Sequence, residues 1–204
     1  MNRRPLLIGT VIGAFGFALL RFFFVPFPET VHYHANFAIF IDGERVDLTA
    51  DEYMEDLSAC KVDPSKVLPE ERAHMHANNH DVVHVHHGGA TWGHFLANIG
   101  LGMGADYLIT DGRDILLNDG NRKLKFVLSG MVVPPMYNRL IESEQRLLIS
   151  YGTETAEEVL ESQFPQVASN AGEFNTNYDP AGCAGHGQLG FWDRVKYAVW
   201  GAGA

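Results

Sequence analysis

The stretch Asp81-Val82-Val83-His84-Val85-His86-His87 decides how this chain is read. In an extended strand successive side chains point to opposite faces, so Val83 and Val85 share one face while His84 and His86 share the other. The alternation suits a strand whose apolar face packs on a core and whose second face presents two imidazoles side by side.

Working outward, residues 36–48 read as a hairpin: an apolar strand over residues 37–41, a turn at Asp42-Gly43 and a return strand through Val46 and Leu48. Asp-Gly between such runs is a hairpin signal. Residues 51–72 are polar, contain Pro64 and Pro69, and predict a short helix before a loop. After the histidine strand, Thr91 caps a short helix running to Ile99, with Phe95, Leu96 and Ile99 on its buried side and Gly100 as its stop. Gly100, Gly102 and Gly104 do not make a G-x-G-x-x-G phosphate cradle. Strand-like runs recur at residues 107–109, 115–117, 124–128 and 146–151, separated by turns at Asp111-Gly112, Asp119-Gly120 and Ser129-Gly130. Thr155-x-x-Glu158 is a capping-box pattern opening a helix that ends before Pro165. Residues 165–190 read as extended and loop-like. Phe191, Trp192, Val195 and Val199 predict an amphipathic final helix packed on its own domain, with a place in a membrane interface as the alternative.

The chain has ten histidines, at positions 32, 34, 74, 76, 80, 84, 86, 87, 94 and 186. Three pairs share H-x-H spacing: His32/His34, His74/His76 and His84/His86. On an extended backbone each pair turns two imidazoles to the same side, where they can converge on one ion. Imidazole suits Zn, Cu, Ni and Fe. Six such ligands exceed the four of a structural zinc site, so either two ions bind or some histidines are spare. His80, Asp81, His87, His94 and His186 are further candidates as ligands or as groups that orient the ligands, and Asn36, Asn78 and Asn79 are polar candidates for the same work. A patch of titrating imidazoles without metal is the competing reading. Met75 and Met103 offer soft ligation, but six methionines are no enrichment, so Zn or Cu(II) fits better than a Cu(I) carrier. No catalytic signature is present. His74-Met75-His76-Ala77-Asn78-Asn79-His80 lacks the Asp and His of the metallo-β-lactamase H-x-H-x-D-H motif, His84-Val85-His86 lacks the glutamate that follows the cupin H-x-H, and there is no H-E-x-x-H or nucleophile elbow.

Residues 1–28 differ from the rest. Arg3 and Arg4 precede an uncharged apolar run from Pro5 to Leu20, followed by Arg21 and Phe22-Phe23-Phe24-Val25-Pro26-Phe27. Helical, that run spans about 24 Å, a little short of a bilayer core of ~30 Å. It reads as a single membrane anchor, with a cleaved signal peptide as the alternative. The positive-inside rule places the remainder outside the cytoplasm. The formal net charge of -10, from 15 Lys+Arg against 25 Asp+Glu, argues against a nucleic-acid partner. Two cysteines in an exported chain suggest a disulfide, Cys60 to Cys183, while Cys183-Ala184-Gly185-His186 offers a C-x-x-H metal spacing instead.

Two resemblances follow from these residues. The residue 91–100 helix, the 124–128 strand, Ser129-Gly130, Val132-Val133 and the run from Leu140 through Gly152 resemble the second half of a β-grasp (ubiquitin-like) domain, with residues 37–48 as its first half. The C-terminal Gly-Gly of that family's sulfur carriers has no counterpart, since Gly152 is internal. The wider pattern, His32-Tyr33-His34-Ala35-Asn36-Phe37, then His74-x-His76, then Val83-His84-Val85-His86, is similar to uncharacterised membrane-anchored, histidine-rich envelope proteins of archaea and small-genome bacteria. This resemblance implies the layout and no particular activity.

The expected protein is therefore an α+β, β-grasp-like mixed sheet with a short packed helix (29–152), preceded by a transmembrane segment (1–28) and followed by a helical and extended tail (153–204). Its expected function is extracytoplasmic binding, delivery or sensing of Zn or Cu through His32, His34, His74, His76, His84 and His86. The alternatives are a metal-dependent envelope enzyme with a three-histidine site and Asp81 as base, or an interaction module in which metal is structural.

Overall fold

In the computed structural model, residues 4–25, 31–55, 67–76, 78–176 and 191–201 are described. The chain divides into two compact units, residues 1–30 with 186–204, and residues 31–185.

The first unit pairs helix α1 (Arg4–Phe24) with the last helix, Phe191–Trp200. Phe22 meets Phe191 edge-on at 5.7 Å, and the guanidinium of Arg21 donates to the Tyr197 carbonyl at 3.3 Å. Large apolar side chains remain exposed on both helices, among them Phe15, Phe17, Phe23, Trp192 and Trp200. The terminal amphipathic helix thus groups with α1, against the expectation that it packs on the main domain. Its apolar stripe finds a complementary apolar helix there. Among the described residues no helix is long and apolar enough to cross a membrane.

The second unit is a mixed α+β domain. Its strands are β1 (Tyr33–Ile41), β2 (Glu44–Arg45), β3 (Ala73–His74), β4 (Val82–Val85), β5 (Gly102–Met103), β6 (Tyr107–Ile109), β7 (Ile115–Leu117), β8 (Lys123–Leu128), β9 (Met131–Val133) and β10 (Arg146–Gly152). The main sheet runs β3-β4-β1-β10-β8-β9, with β1 and β10 parallel at its centre and every other pairing antiparallel. Strands β5, β6 and β7 form a small separate sheet.

The expected turn at Asp42-Gly43 is present, both residues adopting positive φ (48° and 83°), which a tight hairpin turn requires. The return strand β2 is only two residues long, however. Residues Tyr33 to Asn36 of β1 pair instead with β4 on that side, which extends β1 back to Tyr33 and sets His34 directly opposite His84.

Helix α2 (Trp92–Asn98) begins with the expected Thr91 cap, whose hydroxyl accepts from the His94 N–H while His94 Nδ1 accepts from the Thr91 N–H. Its Trp92, Phe95 and Leu96 are buried against one face of the sheet, on Ala35, Phe37, Ile39, Val83, Val85, Leu147 and Ile149. Each large side chain so buried contributes about 1.5–3 kcal/mol. Gly93 lets the helix close on the neighbouring segment, since its N–H donates to Tyr137 O at 2.9 Å and a Cβ there would lie 2.5 Å from the same oxygen.

The capping box of Thr155 and Glu158 opens α3 (Ala156–Glu158), which continues as irregular helical turns through Gln166. This segment buries Val159 and Val167 against Ala38, Phe40, Val127 and Leu148 on the sheet's opposite face. The stretch expected to be extended contains a further short helix, α4 (Ala171–Thr176). Its sequence shows no apolar periodicity, and long-range polar contacts hold it, as described below. The terminal helix is α5. Cys60, Cys183 and His186 lie outside the described residues.

Candidate metal centre

The histidine face is built by register. On β4, His84 lies directly opposite His34 of β1 on one side and His74 of β3 on the other. The two-residue period then brings His32, His76 and His86 to the same face, while Ala35, Val83, Val85, Ala73 and Met75 point into the α2 core. Met75 is fully buried there, which removes it as a soft ligand. All six H-x-H histidines are thus brought together, with neighbouring ring centroids between 4.7 and 5.6 Å apart.

Among the described residues, two sets of three ring nitrogens could hold an ion: His32, His34 and His84, and His74, His76 and His84, each set lying within 4.8 Å. Within them His84 Nδ1 is 3.0 Å from His34 Nε2 and 3.2 Å from His76 Nε2. Two nitrogens bound tetrahedrally at about 2.0–2.1 Å lie about 3.3 Å apart, so these separations match the edge of a metal coordination shell.

Outer contacts fix the donor atoms. The His34 backbone N–H donates to Asn175 Oδ1 at 2.8 Å, which identifies that atom as oxygen. The same oxygen lies 3.0 Å from His34 Nδ1, so Nδ1 carries the proton and Nε2 turns its lone pair toward His84. His86 Nε2 donates to the Glu71 carbonyl at 3.0 Å, leaving its Nδ1 unprotonated. His86 stands at the edge of the cluster, outside both three-nitrogen sets.

Helix α4 closes over this face. Ala171 N–H donates to Asn36 Oδ1, Asn36 Nδ2 donates to Asn170 Oδ1 and to Asp81 O, and Phe174 packs on His34 at 5.7 Å. His34, His74 and His84 are buried. Burial disfavours the charged imidazole, and crowding by neighbouring histidines adds to it. His74 is pushed down to about 3 and His86 to about 4, and His84 is lowered further still. At neutral pH these three rings are neutral, each with one nitrogen free of a proton, the form that binds metal.

The secondary candidates take other roles. His94 caps α2. Asp81 pairs with Arg45, with His80 Nε2 at 3.8 Å, and belongs to neither three-nitrogen set. His87 packs on His86 at 4.7 Å and is lowered by burial and then by Arg72. Asn170, Phe174, Asn175 and the Glu71 carbonyl support the cluster without any spacing signal in the sequence; they meet it only through the fold. Comparisons with family models, with curated proteins and with solved structures found no match to this chain, so the reading of this site rests on its own geometry.

Proposed function

We propose that the chain is a membrane-held, extracytoplasmic transition-metal-binding protein that takes up Zn or Cu on its imidazole face for delivery or sensing. The observation that carries this reading is the convergence of three H-x-H pairs, from three adjacent strands, on one largely buried face. Neutral imidazoles gathered on one face offer several nitrogen lone pairs to a cation at its centre. Imidazole donors, with Met75 turned into the core, support Zn or Cu(II) over Cu(I).

The anchoring part of the proposal is supported by Arg3 and Arg4 before the apolar run and by the exposed aromatic and aliphatic side chains of the α1/α5 pair. The hydrogen bond from Arg21 to the Tyr197 carbonyl lowers the cost of placing that cation near lipid. A central parallel strand pair with antiparallel flanks and one helix packed on a face supports a β-grasp-like reading of the second unit. Asp81, the base that a hydrolytic reading would use, is engaged by Arg45, which favours metal holding over catalysis.

Elemental analysis of the untagged chain tests the proposal. About one or more equivalents of Zn or Cu, stripped by chelator and regained on titration, is expected. A chain that carries no metal and regains none contradicts it.

A further inference from the structure

We infer that His84 is a shared ligand of two adjacent three-histidine positions, which a single ion occupies in turn; the inference rests on the metal-binding reading above. The two sets, His32/His34/His84 and His74/His76/His84, intersect only at His84. They meet it at one atom, since Nδ1 is 3.0 Å from His34 Nε2 and 3.2 Å from His76 Nε2. A ring nitrogen has one in-plane lone pair, so Nδ1 serves one ion at a time. Occupancy of one position therefore excludes the other.

The tethers point the same way. His34 is fixed by Asn175 and His86 by the Glu71 carbonyl, the kind of outer contact that holds a ligand ring in one orientation. His84 differs: its Nε2 is buried and has no hydrogen-bond partner among the described residues. The hub ring can turn toward β1 or toward β3 without breaking an outer bond, and the register places it between His34 and His74. An ion passes from one position to the other by staying on His84 while the lone pairs of one histidine pair replace those of the other. No proton or electron moves. A route of this kind carries a tightly held ion across the face without releasing it to water, which suits delivery.

Cobalt(II) titration of the full chain in detergent tests this. The wild type is expected to saturate at about one ion per chain. The paired variants His32→Ala/His34→Ala and His74→Ala/His76→Ala, checked for fold by circular dichroism, each keep one position. Each is expected to bind about one ion, and their two association constants should add up to that of the wild type, whose visible spectrum should be a weighted sum of theirs. Two ions on the wild type would overturn the inference while leaving the metal-binding reading standing, because separate sites or a His84 bridging through both nitrogens would then hold. Wild-type binding in one paired variant and none in the other, both folded, would also overturn it, by showing a single position. No cobalt bound by the wild type would overturn the metal-binding reading itself.

Discussion

One face of strand β1 carries two kinds of interior. At Ala38 and Phe40 it is apolar, sealed with Leu148, Val127, Val159 and Val167; a few residues earlier, at His34 and Asn36, it is polar, sealed by α4 through amide hydrogen bonds. Both halves are buried to a similar degree, with Phe40 1 % and Asn36 1 % exposed. The apolar half gains its stability from area removed from water and needs no ligand. The imidazole half buries polar rings, and on the proposed reading an ion at its centre adds to their stability. The fold therefore concentrates stability in one half and, on the proposed reading, keeps the other for metal.

Acid separates the halves most strongly. His74, His84 and His86 have folded-state values below the ordinary 6.5, so the unfolded chain binds more protons once the pH falls through that value. Their stability contribution is complete above about 6.5 and declines as the pH drops toward about 4 and about 3, the values of His86 and His74. With three such groups the slope approaches about 4 kcal/mol per pH unit, set by about 1.36 kcal/mol per unit for each. Urea unfolding of the metal-free protein at pH 7 and pH 5 measures it, and equal stabilities at the two values would contradict the buried, neutral imidazoles.

On the apolar half, Leu148→Ala should cost about 2–5 kcal/mol of stability while metal affinity stays unchanged. Metal affinity that fell with it would break the division between the halves. On the imidazole half, Asn175→Ala should weaken metal binding about 10–100-fold by freeing the His34 ring, as loss of such outer contacts commonly does. Competition with a chelator reads this directly, and unchanged affinity would remove Asn175 from the site. The smallest effect is expected from His94→Ala, which loses one half of a helix cap, about 0.5–1 kcal/mol, and no metal. Metal lost in that variant would enlarge the site beyond the six histidines.

The period-two alternation of residues 81–87 made β4 and its two faces legible, and Thr91, Thr155 and Glu158 announced their helices because capping chemistry is local. The six ligand candidates were legible for the same reason, since H-x-H fixes a shared face whatever the strand pairs with. What the strand pairs with is not local. The preference of β1 for β4 over β2, and the stacking of three histidine pairs in one row of strands, depend on contacts far apart in sequence. Helix α4 was hidden for a related reason: Ala171-Gly172-Glu173-Phe174-Asn175-Thr176 has weak helix propensity, and its order comes from Asn36 and His34, over 130 residues away. The partner of α5 was likewise set by tertiary pairing with α1.

The most direct test of the metal centre is the metal content of His84→Ala, purified beside the wild type and shown by circular dichroism to be folded. His84 belongs to both three-nitrogen sets, so the variant is left with two-histidine remnants and should lose its bound Zn or Cu altogether. A folded His84→Ala protein that keeps the wild-type metal content would contradict the account at its centre.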